Sequence, residues 1–165
     1  MYDRILLAYD GSREGLIALR EGALLAKRCK AKTYLLSVIP ESEGVRMAEG
    51  VYADIVGPQV ERYRELLDFA VSVARQLGLD PVAKLVVGEP APLIGAYAKK
   101  VNADLIVLGH QKRTLLQRWW SGSTGAYVSD IVTCSVLVGR KTITDEDFQR
   151  ELKEPISLEG PQPAG

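Results

Sequence analysis

Apolar residues along this chain follow two alternating rhythms. Short, nearly continuous runs occur at Ile5–Tyr9, Thr33–Ile39, Pro81–Val87, Asp104–Leu108 and Ser135–Gly139. Such runs mark strands covered on both faces. Between them the spacing becomes helical, with Leu16, Leu19, Ala23 and Ala26 leading to Cys29. The same period carries Val60, Tyr63, Leu67, Ala70, Val71, Ala74 and Leu77, and then Leu93, Ile94, Tyr97 and Ala98. The punctuation agrees with these divisions. Asp10-Gly11-Ser12 closes the first run and offers Ser12 as a helix cap, Pro40 stops the second, and Pro58 and Gly78 bracket the long helix. Gly88-Glu89-Pro90 turns the third strand into a helix, and Gly122-Ser123-Thr124-Gly125 opens the last one. Residues 41–57 have weak periodicity and read as a long mobile loop with at most one turn of helix, and loops of this length at the rim of a sheet often carry function. Five strands alternating with helices predict an α/β fold. The expected form is an open five-stranded parallel sheet of order 3-2-1-4-5 with helices on both faces, Rossmann-like.

The strand signal ends at Arg140, which divides the chain into a domain over 1–140 and a tail over 141–165. In the tail, Thr144–Lys153 reads as a short helix capped by Thr144 with Asp147 at the third helical position. Leu158–Gly165 is rich in Pro and Gly and reads as disordered. The tail as a whole is expected to be an appendage.

Composition narrows the function. With 47% apolar and 25% charged residues the chain can bury a full core. Twenty-one Lys/Arg balance 21 Asp/Glu, so no global charge points to nucleic acid or a membrane surface. No apolar run approaches the roughly 20 residues of a membrane span. The opening MYDRILLAYD lacks the apolar core of a signal peptide. Cys29 and Cys134 have no metal-ligand spacing, and His110 is the only histidine, which leaves little material for histidine-based metal sites or triads. A cytoplasmic protein is expected.

The candidate chemistry lies at strand ends. In a doubly wound sheet, ligands bind outside the carboxyl ends of strands where the order reverses, which for 3-2-1-4-5 lies between strands one and four. Asp10 ends one and Gly109 ends the other. Gly122, Ser123 and Thr124 at a helix mouth offer free N–H groups and hydroxyls suited to phosphate. The same residues also serve as a plain turn and helix cap, and Asp10 as a turn residue before Gly11. The residues alone leave both readings open.

The pairing of ILLAYDGS with LIVLGHQKRTLLQRWWSGSTGAYVSDIVTCSVLVGR resembles the universal stress protein family over residues 2–140. Its ATP-binding members show a glycine, two residues, a glycine, nine residues, then Gly-Ser or Gly-Thr. Here Gly109 is the first glycine, the nine-residue spacing is kept and Gly122-Ser123 ends the pattern, but Lys112 replaces the second glycine. The resemblance implies ATP or AMP with Mg²⁺ in the cleft between strands one and four. It implies phosphates at Gly122, Ser123 and Thr124, Asp10 on the ribose or the metal, and the backbone of Val38 against the adenine. Lys112 either obstructs the phosphates or reaches one as a point charge.

Lys112, Arg113 and Arg118 make the connection after Gly109 basic, as an anionic ligand or simple solvation would require. Leu115, Leu116, Trp119 and Trp120 in that connection favour packing under it or against a partner over stacking on a base. The edge strand Ser135–Gly139 invites pairing with a second copy, and family members commonly dimerise there. The leading expectation is a dimeric nucleotide-binding sensor or switch in stress response. One alternative is a dimeric protein that acts through a protein client without nucleotide. The other is a slow ATP hydrolase, for which no Gly-x-x-x-x-Gly-Lys-Ser/Thr loop and no base beyond Asp10 is found.

Overall fold

The computed structural model describes residues 1–40, 53–109 and 132–153, and for 53–59 the backbone alone. In chain order the elements are β1 (Arg4–Ala8), α1 (Arg13–Cys29), β2 (Lys32–Pro40), α2 (Ala53–Gln76), β3 (Val82–Gly88), α3 (Pro90–Val101), β4 (Leu105–Gly109), β5 (Ser135–Gly139) and α4 (Asp145–Lys153). All strand pairs are parallel in the order β3-β2-β1-β4-β5, as the hydrophobic rhythm predicts. β1 is central, with Leu6 opposite Tyr34 on one side and Ile106 on the other.

Two apolar layers cover the sheet. On one face α1 and α2 bury Ala18, Leu19, Ala23, Leu67, Ala70 and Ala74 against Ile5, Leu7, Leu35 and Val107. On the other, α3 brings Ile94 and Ala98 onto Leu6, Leu36, Ile106 and Leu108. The alternation of side chains along each strand thus feeds both layers, which is why the strands read as unbroken apolar runs.

Helix α1 lies very close to the sheet. A methyl group at Gly139 would stand 2.5 Å from the Cα of Ala18, and one at Gly109 would stand 2.7 Å from the backbone of Glu14 and Gly15. Glycine at the end of β4 therefore brings the first turn of α1 against that strand end.

Two expectations are corrected. The long helix begins at Ala53 rather than at Pro58, so 53–57 is part of that helix and not of the loop before it. A proline in the second turn deletes one hydrogen bond to the carbonyl four residues back. The helix is still anchored further along by Leu67, Ala70, Val73 and Ala74 in the core. Residues 41–52 lie outside the described part of the chain, as do the expected helix after Gly125 and the segment Leu158–Gly165.

The stretch after Arg140 is the second correction, because up to Lys153 it is no appendage. Ile143 and Phe148 are buried in the α1–α2 layer. Arg20 of α1 donates to the Ile143 carbonyl at 3.1 Å, pairs with Asp145 at 2.5 Å and lies 5.4 Å from the Phe148 ring centre. Lys27 donates to the Glu151 carbonyl, and Arg28 pairs with the Glu151 carboxylate. At the turn before it, Glu21 accepts from the backbone N–H groups of Arg140 and Lys141. The cap is the expected one with a variation. The Thr144 hydroxyl accepts from Asp147 N–H at 3.1 Å and donates to the Asp147 carboxylate at 2.8 Å, so the carboxylate answers the hydroxyl and not the cap's own amide.

Candidate functional site

The carboxyl end of β1 is shaped by its own sequence. Asp10 Oδ1 accepts from the backbone N–H of Ser12 at 2.9 Å and from its hydroxyl at 2.6 Å. The Ser12 oxygen in turn accepts from Gly15 N–H at 2.9 Å and caps α1. This is a turn held by an aspartate side chain, with one serine serving both the carboxylate and the helix. Gly11 adopts φ +79°, a left-handed conformation that favours glycine, and a methyl group there would lie 2.6 Å from the Leu66 side chain of α2. Asp10 is thus fixed at the mouth of α1, where the backbone of Gly109 also arrives.

The neighbouring strand is tied to the same point. Tyr9 N–H donates to the Leu36 carbonyl at 3.0 Å, and the buried Ser37 hydroxyl donates to the Tyr9 carbonyl at 2.7 Å. The ends of β1 and β2 are therefore locked together, which places Val38 beside Asp10.

Above these ends lies a cavity of about 340 Å³, within the size range of small-molecule sites. Its floor comes from Ala8, Leu36, Val38, Leu108 and Gly109, and its rim from Asp10 and Tyr63 on one side and Glu89, Pro90 and Ala91 on the other. Asp10, Val38 and Gly109, singled out from the sequence, line one cavity. Lys112, Gly122, Ser123 and Thr124 lie outside the described residues. Among the described lining residues the charged groups are Asp10 and Glu89, and none is a cation.

Sequence reasoning missed two contributors. Tyr63 sits on the apolar stripe of α2 and read as core, yet it is half-buried and lines the cavity. Glu89 stands at the helix cap of α3 without capping through its side chain. A glutamate where Ser, Thr, Asp or Asn is the usual cap was the available signal. The phenols of Tyr9 and Tyr63 are both held above the ordinary tyrosine range, first by burial and then by the charge of Asp10, with Arg62 pulling Tyr63 partly back. Both remain neutral hydroxyls at physiological pH.

Asp10 suits one mode of holding a divalent ion. No group of three potential ligands occurs among the described residues, which excludes a cage built from them alone. Magnesium typically takes one or two carboxylates and completes its shell with phosphate oxygens and water, and a single fixed aspartate at a strand end meets that demand. Among the described residues no helix is long and apolar enough to cross a membrane.

Comparison with known proteins agrees with this architecture. A universal stress protein of Methanocaldococcus jannaschii is 32% identical over 142 residues, 86% of this chain and 84% of the relative. A universal stress protein solved in complex with cAMP superposes with a TM-score of 0.61 at 23% identity, covering 86% of this chain and 99% of its own. One from Archaeoglobus fulgidus in complex with dAMP gives 0.57 at 24% identity, over 84% and 98%. At those identities the two structures speak for the fold. The model of the universal stress protein family matches residues 1–140, and the chain belongs to that family.

Proposed function

We propose that this protein is a stress-response regulator that binds an adenine nucleotide, ATP or AMP, in the cleft above β1, β2 and β4. The observation that carries the reading is the meeting of Asp10, Val38 and Gly109 around a single cavity of about 340 Å³. The cAMP and dAMP complexes of two proteins with this fold add support. In this reading Val38 seats the base, and Asp10 takes the ribose or a magnesium ion that bridges phosphates. Gly109, Gly122, Ser123 and Thr124 receive the phosphates. Domain 1–140 forms the nucleotide-binding unit, and two copies pair through β5, whose Val136 is exposed at the sheet edge. The dimer acts as a cytoplasmic sensor or switch toward a protein client.

Calorimetric titration with ATP and with AMP, together with release of bound nucleotide on denaturation, tests the reading. Saturable uptake supports it, and no uptake of either refutes it. Lys112 favours a second reading, a member that works through its partners without nucleotide. Lys112→Gly separates the two: much tighter ATP binding in the variant would show that the lysine impairs the site.

A further inference from the structure

We propose that Tyr63 is a ligand-contacting wall of the cleft, its ring lying against the sugar–base part of the bound nucleotide. The inference rests on the nucleotide reading above and adds a residue to it. The cavity is bounded from both faces of the sheet. Pro90, Ala91 and Ile94 reach it from α3, whereas Tyr63 reaches it from α2, which packs on the opposite face. Between these walls the floor is apolar, made by Ala8, Leu36, Val38 and Leu108. A slot with an apolar floor and an aromatic side wall suits a flat heterocycle, since every base has a face to stack and stacking asks for no particular edge.

The position of Tyr63 is set by structure and not by chance exposure. Four residues further on, Leu67 is buried, and Ala70 and Ala74 continue the same stripe into the core, so α2 is anchored and its Tyr63 is held over the cleft. Leu66, next to Leu67, packs against Gly11 in the turn that carries Asp10. Helix α2 and the Asp10 turn are therefore in direct contact. The phenol stays neutral, so it adds no charge to a rim that already holds Asp10 and Glu89. An acidic side chain here would repel phosphates, whereas a neutral ring leaves the phosphate end unaffected and acts on the base and sugar alone.

That division of labour sets the test. Full-length wild type, Tyr63→Phe, Tyr63→Leu and Tyr63→Ala are titrated with ATP, AMP and adenosine, and each is melted without ligand. If the ring is the contact, Tyr63→Phe binds within about twofold of wild type. Tyr63→Ala then loses roughly tenfold or more, in line with the usual cost of removing a stacking ring, and by the same factor for all three ligands. Tyr63→Leu, which preserves apolar volume and keeps the fold if alanine does not, loses severalfold as well. Wild-type uptake that is unchanged in Tyr63→Ala or Tyr63→Leu overturns the inference and leaves the nucleotide reading standing. A loss confined to ATP overturns it too, since it would place Tyr63 at the phosphates. No uptake by wild type overturns the nucleotide reading itself.

Discussion

Replacing Phe148 by alanine asks whether the chain beyond the family-matched domain is part of the fold. Phe148 is 3% exposed and sits in the layer formed by α1 and α2. Truncating a buried phenylalanine costs about 3–5 kcal/mol when the surroundings cannot collapse. Here the nine-residue helix can instead undock as a unit. The loss is then capped by the docking energy of the segment, mainly the burial of Ile143 and Phe148 at about 1.5–3 kcal/mol each. The expected cost is the Phe148 share of that burial together with its contact with the Arg20 guanidinium, worth about 0.5–1 kcal/mol, or about 2–4 kcal/mol in all. For a chain of this size that is a fall in Tm of about 4–16 °C. The ion pairs rank far below. Asp145 is 84% exposed and Arg28 64% exposed, so Asp145→Ala and Glu151→Ala should each cost about 1 kcal/mol or less. Raising the salt should weaken them without releasing the helix. Urea melts of the four proteins, with a fifth truncated after Arg140, decide the matter. Phe148→Ala within about 0.5 kcal/mol of wild type, or a larger effect from Glu151→Ala, would refute an apolar lock. A truncated chain as stable as wild type would restore the appendage reading.

Four further outcomes are expected. Asp10→Ala should reduce ATP affinity and also lower stability by about 1 kcal/mol through the lost Ser12 bonds, with Asp10→Asn recovering most of the stability and little of the affinity; calorimetry and melts read the two separately. Gly109→Ala should destabilise by about 1–3 kcal/mol, since the added methyl meets helix backbone and not a flexible side chain; a melt unchanged from wild type would contradict the close approach. Chelating divalent ions should weaken ATP much more than adenosine, because the described lining holds two carboxylates and no cation; equal losses in a titration with EDTA would argue against a metal at Asp10. At high pH the raised tyrosines matter. Their unfolded forms ionise near 10 while the folded forms hold their protons, so the stability they contribute is complete below pH 10 and is lost as pH climbs through the folded values. Tyr9→Phe and Tyr63→Phe should flatten that decline in stability curves measured from pH 9 to 12.

The sheet was legible because its strands are buried on both faces, and a strand in that setting can only be an apolar run. Helix α1 was equally plain, since Ser12 and the stripe from Leu16 to Ala26 obey local rules. The start of α2 was not. Pro58 carries a strong local signal for a helix start, and the anchoring that overrides it comes from residues a full turn and more downstream, packed on a strand distant in sequence. Ile143 and Phe148 were missed for a related reason. Two apolar residues in a run of charges look like a solvated segment until Arg20 and Arg28 of α1 pair with Asp145 and Glu151, and Lys27 donates to the Glu151 carbonyl, from more than 100 positions away. Of the site, the residues that report on backbone geometry were readable: Asp10 by its turn and Gly109 by its position. Tyr63 was not, because a tyrosine on an apolar stripe has the same spacing whether its ring faces the core or a cavity.

Charge shows what the cleft still demands. Among the described lining residues, two carboxylates and no cation are a poor match for a triphosphate taken alone, since each added phosphate charge increases the repulsion. A nucleotide that binds here must bring or find positive charge. The sequence offers cations in the connection after Gly109, at Lys112, Arg113 and Arg118, and on the proposed reading a magnesium ion at Asp10 adds another. On the proposed reading the exchange of the motif's second glycine for Lys112 supplies a cation to the phosphates. ATP binding that weakens in Lys112→Gly and becomes wholly dependent on magnesium would support this exchange. Tighter binding in the same variant would show that the lysine obstructs the phosphates.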